Sequence, residues 1–183
     1  MTMFARIAAV ACLAVLAACG GGAVETGTSA NGWGLQDVKV RFGGDIGRTD
    51  KGTEYGSAFV WDGYSGGNRK KQVVGLFKSA MSDVAQTTLN GSTPVVMNIE
   101  VTYFHALTDE SRLWCCGQHK IYANLAVTDA GSNAVLASED GVYLGRIALG
   151  GIPGLIAVAA GRDQDTRIRE GIADGISTWL SKY

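Results

Sequence analysis

Apolar residues recur along this chain at two spacings, and their order lays out the elements. In "LQDVKVRF" (35–42), Val38, Val40 and Phe42 alternate with polar neighbours, which predicts a half-buried strand. In "GNRKKQVVGLFKSAMSDVAQTTLNG" (67–91), Val73, Leu76, Phe77, Ala80, Met81, Val84 and Leu89 recur at helical spacing, with Asn68 placed to cap the N-terminus. Gly75 interrupts that pattern and predicts close packing at its position. "PVVMNIEVTYFHAL" (94–107) alternates again: Val95, Met97, Ile99, Val101, Tyr103 and Leu107 share one face, and Asn98, Glu100 and Thr102 the other. "HKIYANLAVTD" repeats the alternation, with Ile121, Ala123, Leu125 and Val127 inward. "DAGSN" then turns the chain, with Asn133 suited to a left-handed position, and "AVLASEDGVYLG" returns as a further strand. The last segment places Ile168, Ile172, Ile176, Trp179 and Leu180 on one helical stripe behind a cap at Asp163 or Asp165.

Helices with one apolar stripe need a sheet face to cover. The order strand, helix, three-strand meander, helix therefore predicts an α+β fold. It is a two-layer sandwich, with a mainly antiparallel sheet of three to four strands and two helices packed on one face. The first strand should run parallel to the second through the intervening helix. "SAFVW" (57–61) adds a short strand within a loop rich in Gly, Asp and Ser.

The N-terminal pattern is of another kind. Arg6 precedes an uncharged apolar run from Ile7 to Ala18, too short to span a bilayer as a mature helix, and this reads as a secretory signal. It ends "Leu16-Ala17-Ala18-Cys19". That motif resembles a bacterial lipobox, which implies acylation of Cys19 as the mature first residue. Gly20, where an aspartate would resemble an inner-membrane retention signal, favours the outer membrane. Residues 20–34 are small, polar and glycine-rich, a tether with a typical reach of about 20 Å. The domain plan is thus signal 1–18, lipidated cysteine and tether 19–34, and one periplasmic domain 35–183.

Composition narrows the function. The chain has 16 basic and 17 acidic side chains; only Arg6 leaves with the signal, so the mature 165 residues carry a net charge of −2. Nucleic acid wants a basic footprint and is an unsuitable partner. Neither a phosphate-binding glycine loop with its lysine nor a serine in a nucleophile elbow is present, and Glu100 and Asp109 read as solvated. The expectation is a non-enzymatic protein.

Of four cysteines, Cys12 leaves with the signal and Cys19 takes lipid, so Cys115 and Cys116 remain in a compartment that permits disulfides. In "SRLWCCGQHKIY" (111–122) they sit in a hairpin loop. A hairpin centred near Arg112 would set His105 and His119 opposite each other on one face, below both thiols. Thiolate with imidazole suits copper or zinc. A vicinal disulfide and thiols without a role are the competing readings, and no other cofactor is expected.

"IALGGIPGLIAVAAG" (147–161) carries no charge, and its early glycines and Pro153 argue against a regular helix. It reads either as a buried crossover or as an apolar loop in which Ile152, Leu155, Ile156 and Val158 touch lipid or a partner.

Four pieces together carry a second resemblance: "GNRKKQV", "FHALTDESR", "VTDAGSNAVLASED" and "GRDQDTRIREGIADGISTWL". They resemble small uncharacterised proteobacterial outer-membrane lipoproteins. Asp129, Ser132, Val135 and Leu136 match the hairpin usual there, while Asn133 replaces a glycine. The order of elements is also similar to auxiliary lipoproteins of transport and lipopolysaccharide-assembly systems. The resemblance implies an accessory or scaffolding module that is anchored by its lipid and contacts an envelope protein or lipid. It carries no catalytic residues. The alternative is a metal-binding or redox lipoprotein using Cys115, Cys116, His105 and His119.

Overall fold

A computed structural model of the chain describes residues 30–47, 58–61, 67–106, 117–149, 151–161 and 163–183. Its elements run β1 (Trp33–Phe42), β2 (Phe59–Val60), α1 (Arg69–Thr87), β3 (Thr93–His105), β4 (Gly117–Asp129), β5 (Val135–Tyr143), β6 (Arg146–Ala148), α2 (Gly151–Ala159) and α3 (Gln164–Leu180). The fold is α+β, an open six-stranded sheet with three α-helices among the described residues. The expected three to four strands and two helices undercount it.

The sheet nevertheless has four rows, β1-β3-β4-β5. Two short strands extend the outer rows: β2 pairs Phe104 and His105 of β3 beyond the end of β1, and β6 pairs Gly117 to His119 of β4 beyond the end of β5. Strand β1 runs parallel to β3, and β3, β4 and β5 form an antiparallel meander.

Helices α1 and α3 bury their apolar stripes against one sheet face and against each other. Val73, Phe77, Ala80 and Met81 of α1, Ile168, Ile172, Ile176 and Leu180 of α3, and Val95, Met97, Ile99, Ile121, Leu125 and Val127 of the sheet are buried in one cluster. Each such side chain contributes about 1.5–3 kcal/mol on leaving water. The helix starts are fixed locally: Asn68 Oδ1 accepts from the Lys71 amide at 3.0 Å, and Asp163 Oδ1 from the Thr166 amide at 2.9 Å. Asp163, not Asp165, is therefore the second cap. In the β4–β5 turn, Asn133 takes φ 59°, and Asp129 Oδ1 accepts from the Ser132 amide at 2.7 Å.

Three expectations are corrected. Gly75 is exposed and a Cβ there would meet nothing within 4 Å, so no close packing explains it. A bulge between Val101 and Tyr103 breaks the β3 alternation. Phe104 then points into the core, and Tyr103 turns outward with His105. Residues 151–159 are helical after all. Gly151 takes φ 55° at the helix start, and Pro153 is the third helical residue, where the missing N–H would have no intrahelical partner anyway.

Candidate functional site

Two surfaces stand out, and they occupy different parts of the fold. The first is the apolar cap formed by β6 and α2. Ala148 anchors it in the core, whereas Ile147, Ile152 and Ile156 are 60%, 73% and 64% exposed. Ile152 and Ile156 lie four residues apart and so share one face of α2. The side chains of Leu155 and Val158 lie outside the described residues, although their backbone is helical.

Helix α3 holds the β6 part of this cap in place. The nearly buried Arg167 guanidinium donates from Nη2 to the Ile147 carbonyl at 2.7 Å. Arg146 Nη1 contacts Glu170 Oε2 at 2.7 Å and Asp174 Oδ2 at 3.5 Å. The cap also sits at one end of the sheet. Trp33 pairs with Thr93 where the chain enters, and β6 pairs with the opposite end of the meander. The 13 residues of β3 set those ends about 40 Å apart.

The second surface is the sheet face that no helix covers. Glu100 Oε2 accepts from Arg41 Nη2 at 3.2 Å and from Asn124 Nδ2 at 3.3 Å. Asn124 Oδ1 accepts from the Gly141 amide at 2.9 Å, which ties β5 into the same network. These groups line a shallow groove of about 320 Å³ together with Lys39, Ser138 and Asp140. Beside the groove runs an aromatic row across three strands. The Tyr143 and Tyr122 ring centres are 5.3 Å apart, those of Tyr122 and Tyr103 are 6.2 Å apart, and His105 stacks on Tyr103. Burial, with Lys120 adding a smaller push, lowers the His105 pKa; burial, then the neighbouring Tyr122, raises that of Tyr143. Of this surface the sequence offers Glu100 as a solvated group, Tyr103 as an inward residue and His105 as a candidate metal ligand, while Tyr122, Asn124 and Tyr143 carry no expected role. The outward alternation of Tyr122 and Asn124 in β4 was the available signal.

The structure does not bring the two histidines together. The bulge in β3 turns His105 to the open face, where it pairs in register with Lys120, whereas His119 is buried on the helix side of β4. Among the described residues no group of three or more His, Cys, Asp or Glu could hold a metal. Cys19, Cys115 and Cys116 lie outside the described residues. Among those described, no helix is long and apolar enough to cross a membrane.

A one-sided α+β sheet with an apolar helical cap and an open polar face defines a small module built around surfaces. The chain belongs to the family of unknown function DUF6778, whose model matches residues 33–183. No curated protein matches the sequence. Among solved structures, the chain is similar to a Xanthomonas campestris protein of the DUF330 family at 12% identity, covering 85% of this chain and 87% of that one, with a TM-score of 0.48. It is also similar to a candidate lipoprotein from Caulobacter crescentus at 14% identity, covering 58% and 79%, with a TM-score of 0.36.

Proposed function

We propose that this protein is a lipid-anchored accessory module of the cell envelope, facing the periplasm from the outer membrane, and that it acts through contacts made by the β6–α2 cap. The observation that carries the reading is the solvent exposure of Ile147, Ile152 and Ile156, with the Ile147 carbonyl held by Arg167. Exposed apolar clusters of this kind mark contact surfaces. The lipobox at Cys19 supplies the anchor, since several acyl chains hold stably where one is marginal.

The geometry favours a protein as the partner. Ala30 and Trp33 are buried in the domain, which shortens the expected tether of 20–34 to residues 20–29 and its relaxed reach to roughly 16–19 Å. The cap lies at the end of the sheet away from the chain entry, so anchoring leaves it facing outward from the bilayer more readily than into it. In this reading the chain performs no chemistry of its own and holds no cofactor beyond the lipid.

Metabolic labelling with a fatty acid tests the anchor. Wild type should take label and fractionate with the outer membrane, and Cys19→Ala should lose the label and leave the membrane. Persistent attachment of Cys19→Ala would contradict the proposal.

A further inference from the structure

We infer that the open sheet face is a binding site for a neutral glycan, with Tyr122 and Tyr143 as its stacking surface and the Glu100–Asn124 groove as its hydrogen-bonding side. This goes beyond the cap and does not depend on lipidation.

Tyr122 and Tyr143 are 38% and 43% exposed on a face that no other described element covers. Their rings are tilted 54° to each other, and Tyr122 meets Tyr103 edge to face at 73°, so each ring is fixed by its neighbour. Fixed rings lose little freedom on binding. The Tyr143 hydroxyl is further tied to the His119 carbonyl at 3.4 Å. The ring spacing is set by neighbouring strands and is comparable to the advance of one pyranose in an extended glycan. Sugar rings present C–H bonds on one face and hydroxyls at the rim. The first suit aromatic rings, and the second need donors and acceptors alongside.

The groove supplies those groups and selects against charge. Lys39 and Arg41 are balanced by Glu100 and Asp140. A polyanion such as nucleic acid gains nothing from a groove whose four charges cancel. Glu100 and Asn124 are held within one network spanning four strands, so their acceptors and donors are positioned before any ligand arrives. Burial, and to a lesser degree Lys120, lowers the pKa of His105 at the far end of the row, which disfavours its charged form.

The test uses the full chain in a detergent free of sugar, with chitotetraose and maltotetraose as probes. The first offers amides as well as hydroxyls, the second hydroxyls alone. Calorimetry should give saturable binding to at least one probe in the millimolar range or tighter. Amide shifts in a nitrogen-15 NMR spectrum should move at Tyr103, Tyr122, Asn124 and Tyr143, a readout that requires no variant. Tyr122→Ala and Tyr143→Ala should each weaken binding about tenfold, while Tyr122→Phe retains it. Absence of binding to both probes would overturn the inference. So would shifts confined to another surface, or a dimer in sedimentation that buries this face and is broken by Tyr122→Ala.

Discussion

Replacing Gly175 by alanine sets two effects of opposite sign against each other. Gly175 lies within α3, where alanine is favoured over glycine by about 1 kcal/mol. A Cβ at this position would lie 2.8 Å from Leu144 Cδ2, 3.1 Å from Leu144 Cα and 3.2 Å from the Tyr143 carbonyl oxygen. Leu144 is fully buried and two of those three atoms are backbone, so the helix itself must move. Overpacking of this kind costs about 1–3 kcal/mol. The net expectation for Gly175→Ala is a loss of roughly 1 kcal/mol, within a range of about 0–2. Gly75→Ala is the internal control: the same propensity gain applies in α1, with open space around the new methyl, so it should stabilise by about 1 kcal/mol. The two variants should therefore differ by about 2 kcal/mol, or roughly 4–8 °C in Tm for a domain of this size. Thermal and urea denaturation followed by circular dichroism measures both. If Gly175→Ala proves as stabilising as Gly75→Ala, α3 does not approach the β5–β6 junction as described. The Arg167 bond that holds β6 would then lose its basis.

Further outcomes follow from the same structure. Ile156→Asp should leave Tm within about 2 °C of wild type, because the side chain already meets water, whereas Ile172→Asp buries an unpaired charge and should prevent folding. Asp163→Ala should cost about 1 kcal/mol at neutral pH through the lost cap. Hydrogen bonds from the Thr166 amide and side chain hold the Asp163 carboxyl below its ordinary 3.8. Its contribution is therefore complete above that value and fades as pH falls through the lowered folded pKa, so denaturation curves of variant and wild type should converge in acid. If copper or zinc binds through Cys115 and Cys116, titration should show it weakened by at most one of His105→Ala and His119→Ala, since those residues occupy opposite faces.

The legible parts of the fold were those governed by long-range periodicity. Alternation along β3 and β4 and recurrence at helical spacing in α1 and α3 suffice to assign those elements, and the caps at Asn68 and at Asp163 or Asp165 follow from side chains that can reach their own helix. What escaped the sequence was decided by single residues or by neighbours. One extra residue in the β3 bulge reverses every later side chain, which moves Tyr103 and His105 to the open face and dissolves the predicted histidine pair. Strand β2 falls inside the short strand expected at "SAFVW", whereas β6, with three residues, is too short to show any period. Helix α2 is hidden in the sequence by its glycines and proline, because Pro153 falls in the one turn that tolerates it. The open-face groove draws Arg41, Glu100, Asn124 and Asp140 from four separate strands, and only the pairing registers bring them together.

The account rests most heavily on the cap being a contact surface of an anchored protein. A photo-reactive side chain placed at Ile152 in living cells tests that directly, with exposed Lys78 on α1 as the comparison and lipidation of both variants checked by fatty-acid label. The account predicts a discrete adduct from position 152, of a mass that identifies a protein partner, and none from position 78. Equal or absent adducts at the two positions, in protein that carries its lipid, would contradict it.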